Sequence, residues 1–247
     1  MTTLYIVLPI FNEAQALPVL LADLEHELDA LPGYDRHYVL TDDGSSDDSP
    51  SILDAHSRKA PTTIITHPVN RGLGATIRDG LSRATSMAAD DDIIVTLDAD
   101  CTHPTRHISA MIPLVEQGHD IVVASRFRTG ASVQGLSLYR HILTSGARLL
   151  YQLLFPTPGL RDYTCGYRAY RASLLAKAFA HYGDGFIECD GFAAMADILL
   201  RLRRFSPRVA EVPLELRYDK KPGASKMPVL RTVFTTLAVL IKRRLWG

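Results

Sequence analysis

Two hydrophobic rhythms alternate along the first half of this chain. Leu4–Pro9 is a continuous apolar run of strand length, and Ala16–Leu31 carries its apolar residues at helical spacing. Short apolar runs recur at Tyr38–Thr41, Thr63–Thr66, Ile93–Leu97 and Asp120–Ser125, while Ser49–Ala60 and Ala75–Ala88 repeat the helical pattern. Strands alternating with helices predict an α/β fold, a mainly parallel sheet covered by helices on both faces. Ligands of such sheets bind in the crevice beyond the carboxyl ends of the strands. The polar clusters Asn12-Glu13, Asp42-Asp43-Gly44, Asn70-Arg71-Gly72-Leu73-Gly74 and Asp98-Ala99-Asp100 all fall at or just beyond such ends.

The pattern loosens after Ser125. Helices are expected at His141–Phe155 and Phe192–Phe205, a polar and aromatic segment at Arg161–Arg171, and a strand at Val209–Leu216. In Met227–Gly247, Leu230, Val233, Phe234, Leu237, Leu240 and Ile241 share one helical face, and the last turn holds Lys242, Arg243, Arg244 and Trp246. A basic amphipathic helix ending in Trp suits a membrane surface or a membrane subunit. Its uncharged run, Thr232–Ile241, is too short to span a bilayer, which takes about 20 apolar residues. No linker or repeat intervenes, so the chain divides into one domain over 1–226 and this helix over 227–247.

Composition narrows the class of partner. The 247 residues hold 27 Lys+Arg and 27 Asp+Glu, a formal net charge of zero, and 47% are hydrophobic. A disordered chain is excluded, and no excess of cations exists to displace phosphate counterions from a nucleic acid. Cys101, Cys165 and Cys189 form no CxxC pair, and the N-terminal Met-Thr-Thr-Leu-Tyr lacks a basic leader region, so a cytoplasmic location is expected.

Asp98 and Asp100, closing a hydrophobic strand, would face the same way if the backbone stayed extended and so offer hard oxygens to a divalent cation such as Mg²⁺ or Mn²⁺ bridged to a diphosphate. Cys101, His103 and His107 mimic part of a zinc site, but Pro104 intervenes and no further Cys-His pair lies nearby. Glu188 and Asp190 read equally as a candidate general base or as acidic loop residues.

In order along the chain, Val7–Glu13, Thr41–Asp47, Asn70–Ala75, Leu97–Asp100 and Ser125–Phe127 resemble the family 2 glycosyltransferases of GT-A (Rossmann-like) fold. Asp162-Tyr163-Thr164-Cys165-Gly166-Tyr167-Arg168, Glu211-Val212-Pro213 and Asp219–Lys226 are similar to the dolichol-phosphate mannose synthase branch, the polyprenyl-phosphate glycosyltransferases. The resemblance implies that Pro9, Phe11, Glu13, Thr41 and Asp43 cradle the nucleotide base, with Asp43 a base or ribose contact. It also implies that Asp98, Ala99 and Asp100 hold ribose, diphosphate and metal. Arg126, Arg140, Lys220 and Lys226 fall at basic positions used on the donor diphosphate and the acceptor phosphate. Thr102 stands where the family commonly carries a metal-shell Gln, and Lys220 where it commonly carries Arg.

The implied activity is inverting transfer of a sugar from a nucleotide diphosphate donor, GDP-mannose or UDP-glucose, to a polyprenyl phosphate at the cytoplasmic face of a membrane. A phosphate monoester is largely ionised at neutral pH and needs no protein base. Relatives that glycosylate hydroxyls carry a Glu-Asp pair near positions 194 and 195, where this chain has Ala194-Met195. Two other readings stand beside it: transfer to a hydroxyl with Asp190 or Glu188 as base, and a non-catalytic module that binds a nucleotide sugar.

Overall fold

The computed structural model describes residues 1–135, 138–191, 193–220 and 229–246, and for 138–142, 220, 229–234 and 245–246 it describes the backbone only. Seven strands form the main sheet: β1 (Thr2–Ile10), β2 (Tyr34–Asp42), β3 (Thr62–Thr66), β4 (Ile93–Thr96), β5 (Ile121–Ser125), β7 (Arg168–Arg171) and β8 (Val209–Pro213). Their order is β3-β2-β1-β4-β7-β5-β8. All pairs are parallel except those of β7, which runs antiparallel to both β4 and β5. A separate ribbon pairs β6 (Ser132–Gln134) with β9 (Glu215–Arg217).

The helices are α1 (Leu17–Asp29), α2 (Ser49–Ser57), α3 (Leu73–Met87), α4 (His107–Glu116), α5 (Leu138–Leu154), α6 (Ala172–Tyr182), α7 (Ala193–Leu202) and α8 (Val229–Trp246). Pro18 and Pro50 stand in the first turns of α1 and α2, where a missing N–H costs nothing. Every residue of β4 and β5 is buried, as expected of central strands covered on both faces.

The parallel half follows the sequence pattern closely. β2 begins earlier than its apolar run, because Tyr34–His37 pair in register with Thr2–Tyr5 of β1 although they are largely polar. β7 carries no apolar run at all, which is why its segment reads as irregular. Its Arg168 is fully buried, and its terminal nitrogens donate to the carbonyls of Tyr163 and Met195 at 2.9 and 2.7 Å and to the Tyr170 hydroxyl at 3.2 Å. Val209–Leu216 is two strands rather than one, separated at Leu214, so that β8 completes the main sheet and β9 leaves it for β6.

Candidate functional site

Loops at the carboxyl ends of β1, β2 and β3 are stitched together by their own polar residues. The Asp43 N–H donates to the Ile10 carbonyl at 2.8 Å, and the N–H groups of Asn12 and Glu13 donate to the hydroxyls of Ser45 and Ser49 at 2.9 and 3.0 Å. In return the Ser46 N–H donates to Asn12 Oδ1 at 2.8 Å. Asn12 turns the chain with φ +53°, a left-handed conformation that Asn tolerates better than most residues. Pro9, Phe11 and Glu13 are half-buried at this end of the sheet.

Asp43 is buried, with much of its acceptor capacity met from within. Its Oδ1 lies 2.6 Å from His67 Nδ1 and accepts the Arg71 N–H at 2.8 Å, while Oδ2 accepts the Gly72 N–H at 2.8 Å. The carboxylate therefore fixes the loop that opens α3. Gly44, at φ +70°, packs so tightly on that loop that a Cβ would fall 2.7 Å from the Val69 carbonyl carbon. Thr41 departs from its expected place: it is wholly buried, and its Oγ1 lies 3.0 Å from where a Cβ on Gly80 of α3 would be. Its neighbour α3 crosses the sheet there, so the Thr41 side chain faces the helix instead of the crevice.

The acidic pair also differs from the extended geometry assumed for it. β4 stops at Thr96, and residues 97–101 form a bend and turn in which Cys101 has φ +60°. Asp98 is 38% exposed, whereas Ala99 and Asp100 are buried. Asp100 Oδ1 accepts both the Thr102 N–H at 3.1 Å and the Thr102 hydroxyl at 2.6 Å. Thr102 thus orients Asp100, and its carbonyl accepts the Arg217 N–H at 3.0 Å, tying this turn to the ribbon that leads toward Lys220. Close by, a Cβ built on Gly166 would lie 3.6 Å from Asp98 Oδ1 and 3.2 Å from the Met195 sulfur.

The residues that mimic zinc ligands have other duties. His103 Nδ1 accepts the Asp98 N–H at 3.2 Å and its ring stacks on Tyr167, while His107 Nε2 accepts the Glu215 N–H at 3.2 Å. Burial pushes the His107 imidazole down to about 4, so it stays neutral near pH 7. Among the described residues no group of three or more His, Cys, Asp and Glu forms a metal cage. The donor set near Asp98 and Asp100 is two carboxylates and a hydroxyl, all hard oxygens, which fits Mg²⁺ or Mn²⁺ completed by diphosphate and water.

Arg126 follows β5 directly and lies against Asp162. Its Nε and Nη2 donate to Asp162 Oδ2 and Oδ1 at 2.8 and 2.6 Å, its N–H donates to Oδ2 at 3.0 Å, and Nη2 reaches the Thr164 hydroxyl at 2.6 Å. Asp162 is fully buried: burial pushes its carboxyl up, and the Arg126 charge with the hydrogen bonds pulls it further down, for a net lowering. Behind it, Glu211 Oε1 accepts the N–H groups of Arg161 and Asp162 at 2.6 and 2.7 Å. The Glu-Val-Pro motif thus supports the Asp162 turn, which in turn aims Arg126. The sequence motifs contained Asp162 and Glu211, but only the fold reveals this relay.

Glu188 is bound to Arg201 at 2.7 Å and Lys242 at 2.9 Å, and the Lys242 hydrogen bond leads in lowering its carboxyl. Asp190 is exposed beside the first turn of α3, where a Cβ on Gly74 would come 2.0 Å from the Cys189 carbonyl oxygen. Arg140 lies on α5 and Lys220 ends a short helical turn after β9, both with only the backbone described, and Lys226 lies outside the described residues.

The model for glycosyl transferase family 2 matches residues 5–179, more than half of the chain. The polyprenol monophosphomannose synthase of Mycolicibacterium smegmatis is 27% identical over 224 residues, which are 90% of this chain and 80% of that protein. An undecaprenyl-phosphate 4-deoxy-4-formamido-L-arabinose transferase of Enterobacter sp. is 29% identical over 239 residues, 92% of this chain; the chain spans just under two thirds (63%) of that relative. Among solved structures, glucosyl-3-phosphoglycerate synthase from Mycobacterium tuberculosis, in complex with Mn²⁺, uridine diphosphate and glucosyl-3-phosphoglycerate, superposes with TM-score 0.67 at 18% identity, covering 100% of this chain and 81% of its own. Its fold is that of the GT-A glycosyltransferases, and the chain belongs to glycosyl transferase family 2.

Proposed function

We propose that this glycosyltransferase transfers a sugar, mannose before glucose, from a nucleotide diphosphate donor (GDP-mannose or UDP-glucose) to a polyprenyl phosphate, with inversion. The observation that carries the reading is the surroundings of Gly166, where a Cβ would lie 3.6 Å from Asp98 Oδ1 and 3.2 Å from the Met195 sulfur: Ala194 and Met195 are both buried, and neither brings a carboxylate that could act as a general base. An acceptor phosphate brings its own ionised nucleophile and suits a site of that kind. The acceptor oxygen attacks the anomeric carbon as the bond to the nucleoside diphosphate breaks.

In this reading Pro9, Phe11, Glu13 and Asp43 line the nucleoside end of the crevice, and Asp98 and Asp100 would hold Mg²⁺ or Mn²⁺. The ion supplies charge stabilisation for the departing diphosphate. Thr102 sets the orientation of Asp100. Arg126, held by Asp162, supplies fixed positive charge beside the phosphates, with Arg140, Lys220 and Lys226 as further cations toward donor and acceptor.

Labelled donor incubated with extracted polyprenyl phosphate, with a free alcohol acceptor and with neither separates lipid phosphate transfer, hydroxyl transfer and binding alone. With the phosphate acceptor, Asp190→Asn and Glu188→Gln are each expected to lower turnover less than about tenfold, whereas loss of a general base costs about 10²- to 10⁴-fold. A loss of that larger size would move the reading to a hydroxyl acceptor.

Contact with the membrane surface falls to α5 and α8. Among the described residues no helix is long and apolar enough to cross a membrane. Leu150, Leu154, Leu237, Leu240 and Ile241 line a groove of about 360 Å³ with Arg244 at its rim, and Leu149, Leu153, Leu237 and Ile241 are exposed. The basic last turn is less available to lipid than the sequence implies, because Arg243 is bound in two hydrogen bonds to buried Asp197 at 2.6 and 2.9 Å. In this reading the apolar rim, with Arg244, lies on the lipid surface at the cytoplasmic face. Leu149→Asp with Ile241→Asp is expected to weaken binding to phosphatidylglycerol-containing vesicles by about tenfold or more. Unchanged vesicle binding would remove this face from the proposal.

A further inference from the structure

His67 belongs to none of the motifs above, yet it is the hub of a closed ring of polar contacts under the crevice. Its side chain is 4% exposed, with Nδ1 2.6 Å from Asp43 Oδ1 and Nε2 3.1 Å from Asp79 Oδ2. Arg71 closes the ring from the other side: its N–H donates to Asp43 Oδ1 and its Nη1 to Asp79 Oδ2, both at 2.8 Å. Arg78 Nε donates to the remaining Asp79 oxygen at 2.9 Å. The ring joins the end of β2, the β3–α3 loop and the second turn of α3 through their side chains.

The arrangement has a direct consequence for Asp43. A carboxylate this deeply buried is oriented by its donors, and two of the three observed donors, the N–H groups of Arg71 and Gly72, belong to the loop it holds. The third, the His67 ring, comes from the start of the same loop but is anchored through Asp79 to the body of α3. Without it, Asp43 and the Arg71–Gly72 backbone can shift together while keeping their mutual hydrogen bonds. The β2 and β3 ends stay paired through their backbones, with the His67 N–H donating to the Asp42 carbonyl at 2.9 Å, so what loses its fixed direction is the Asp43 carboxylate together with the Arg71–Gly72 backbone.

We propose that His67 is a positioning residue for donor binding, fixing the Asp43 carboxylate and the Arg71–Gly72 backbone at the nucleoside end of the crevice. The inference rests on the nucleotide-sugar reading of that crevice. It assigns His67 no contact with the donor and no part in the transfer step.

The test uses the full chain and four variants, His67→Ala, His67→Gln, Asp43→Asn and the double variant His67→Ala/Asp43→Asn. Dissociation constants for GDP, UDP, ADP and CDP are measured by calorimetry with Mn²⁺, alongside donor KM, kcat at saturating donor and melting temperature. His67→Ala is expected to raise the dissociation constant of the best-bound nucleotide and the donor KM about tenfold or more, with kcat within about twofold. His67→Gln, which keeps one donor group, is expected to recover part of the loss. Because His67 acts through Asp43, the double variant should bind no worse than Asp43→Asn, a non-additive result.

A His67→Ala protein that melts lower but keeps its nucleotide affinity and donor KM would overturn the proposal, as would strictly additive losses in the double variant. If His67→Ala does not fold, Asp79→Asn, at the more exposed end of the ring, carries the decision: a severalfold rise in donor KM at constant kcat supports the role, and an unchanged KM overturns it. A wild-type chain that binds none of the four nucleotides would remove the underlying nucleotide-sugar reading. That result differs from one in which the wild type binds and His67→Ala binds equally well.

Discussion

Asp100→Asn is expected to lower turnover by on the order of 10³-fold while leaving the melting temperature within a few degrees of the parent. Asn keeps an oxygen where Asp100 Oδ1 accepts the Thr102 N–H and hydroxyl, so the local hydrogen bonds survive. What it removes is one of two negative charges offered to a divalent cation. A bound metal contributes several kcal/mol of charge stabilisation to a transition state, and each 1.36 kcal/mol is about tenfold in rate. Calorimetry of nucleoside diphosphate binding with and without Mn²⁺ provides a second measure: the metal-dependent gain in affinity should disappear. Turnover at the parental rate would overturn the assignment of Asp100 to the cation.

The second large effect is on stability, at the Arg126–Asp162 pair. Asp162→Asn leaves the guanidinium without a counter-charge, and breaking a buried ion pair from one side costs about 3–5 kcal/mol. For a chain of this size that corresponds to a fall in melting temperature on the order of 10 °C. The sign with pH follows from the lowered Asp162 carboxyl. A carboxylate whose folded value lies below its unfolded one contributes fully above the ordinary carboxylate range, near pH 4, and loses that contribution as pH falls through the folded value. Melting curves of the parent should therefore drop as pH is lowered below about 4, and the Asp162→Asn curve should be flatter there. Equal slopes, or a melting temperature unchanged at pH 7, would show that the pair adds nothing to the fold.

The parallel half of the fold was legible because its physics is local. β1, β3, β4 and β5 are apolar runs of strand length, and α1 to α3 carry a helical stripe, so element type follows from neighbouring residues alone. The same locality exposed the acidic and glycine-rich clusters at the strand ends, which lie where the loops of β1, β2 and β4 meet. β7 is not legible in the sequence because its stability is not local: Arg168 is acceptable in the middle of a sheet because the carbonyls of Tyr163 and Met195, outside the strand, receive its guanidinium together with the Tyr170 hydroxyl. β6 and β9 were hidden for a related reason, since a three-residue strand has too little pattern to be read without its partner.

By itself, then, the amino-acid order determined the alternation of strand and helix, the end of the sheet at which the polar clusters gather, and the residue types those clusters hold. Tertiary structure decided which of those residues are presented and which are used internally. Thr41, expected at the base, is covered by α3. Thr102 is turned onto Asp100, Asp43 is engaged by His67 and the β3–α3 loop, and Arg243 is captured by Asp197. Each of these depends on a partner distant in sequence or on a backbone turn, because a polar group leaving water must find its hydrogen bonds wherever the packed chain places a donor or acceptor. Periodicity records burial, a property of one residue at a time, whereas the direction of a buried carboxylate or guanidinium is a property of pairs that only the folded chain brings together.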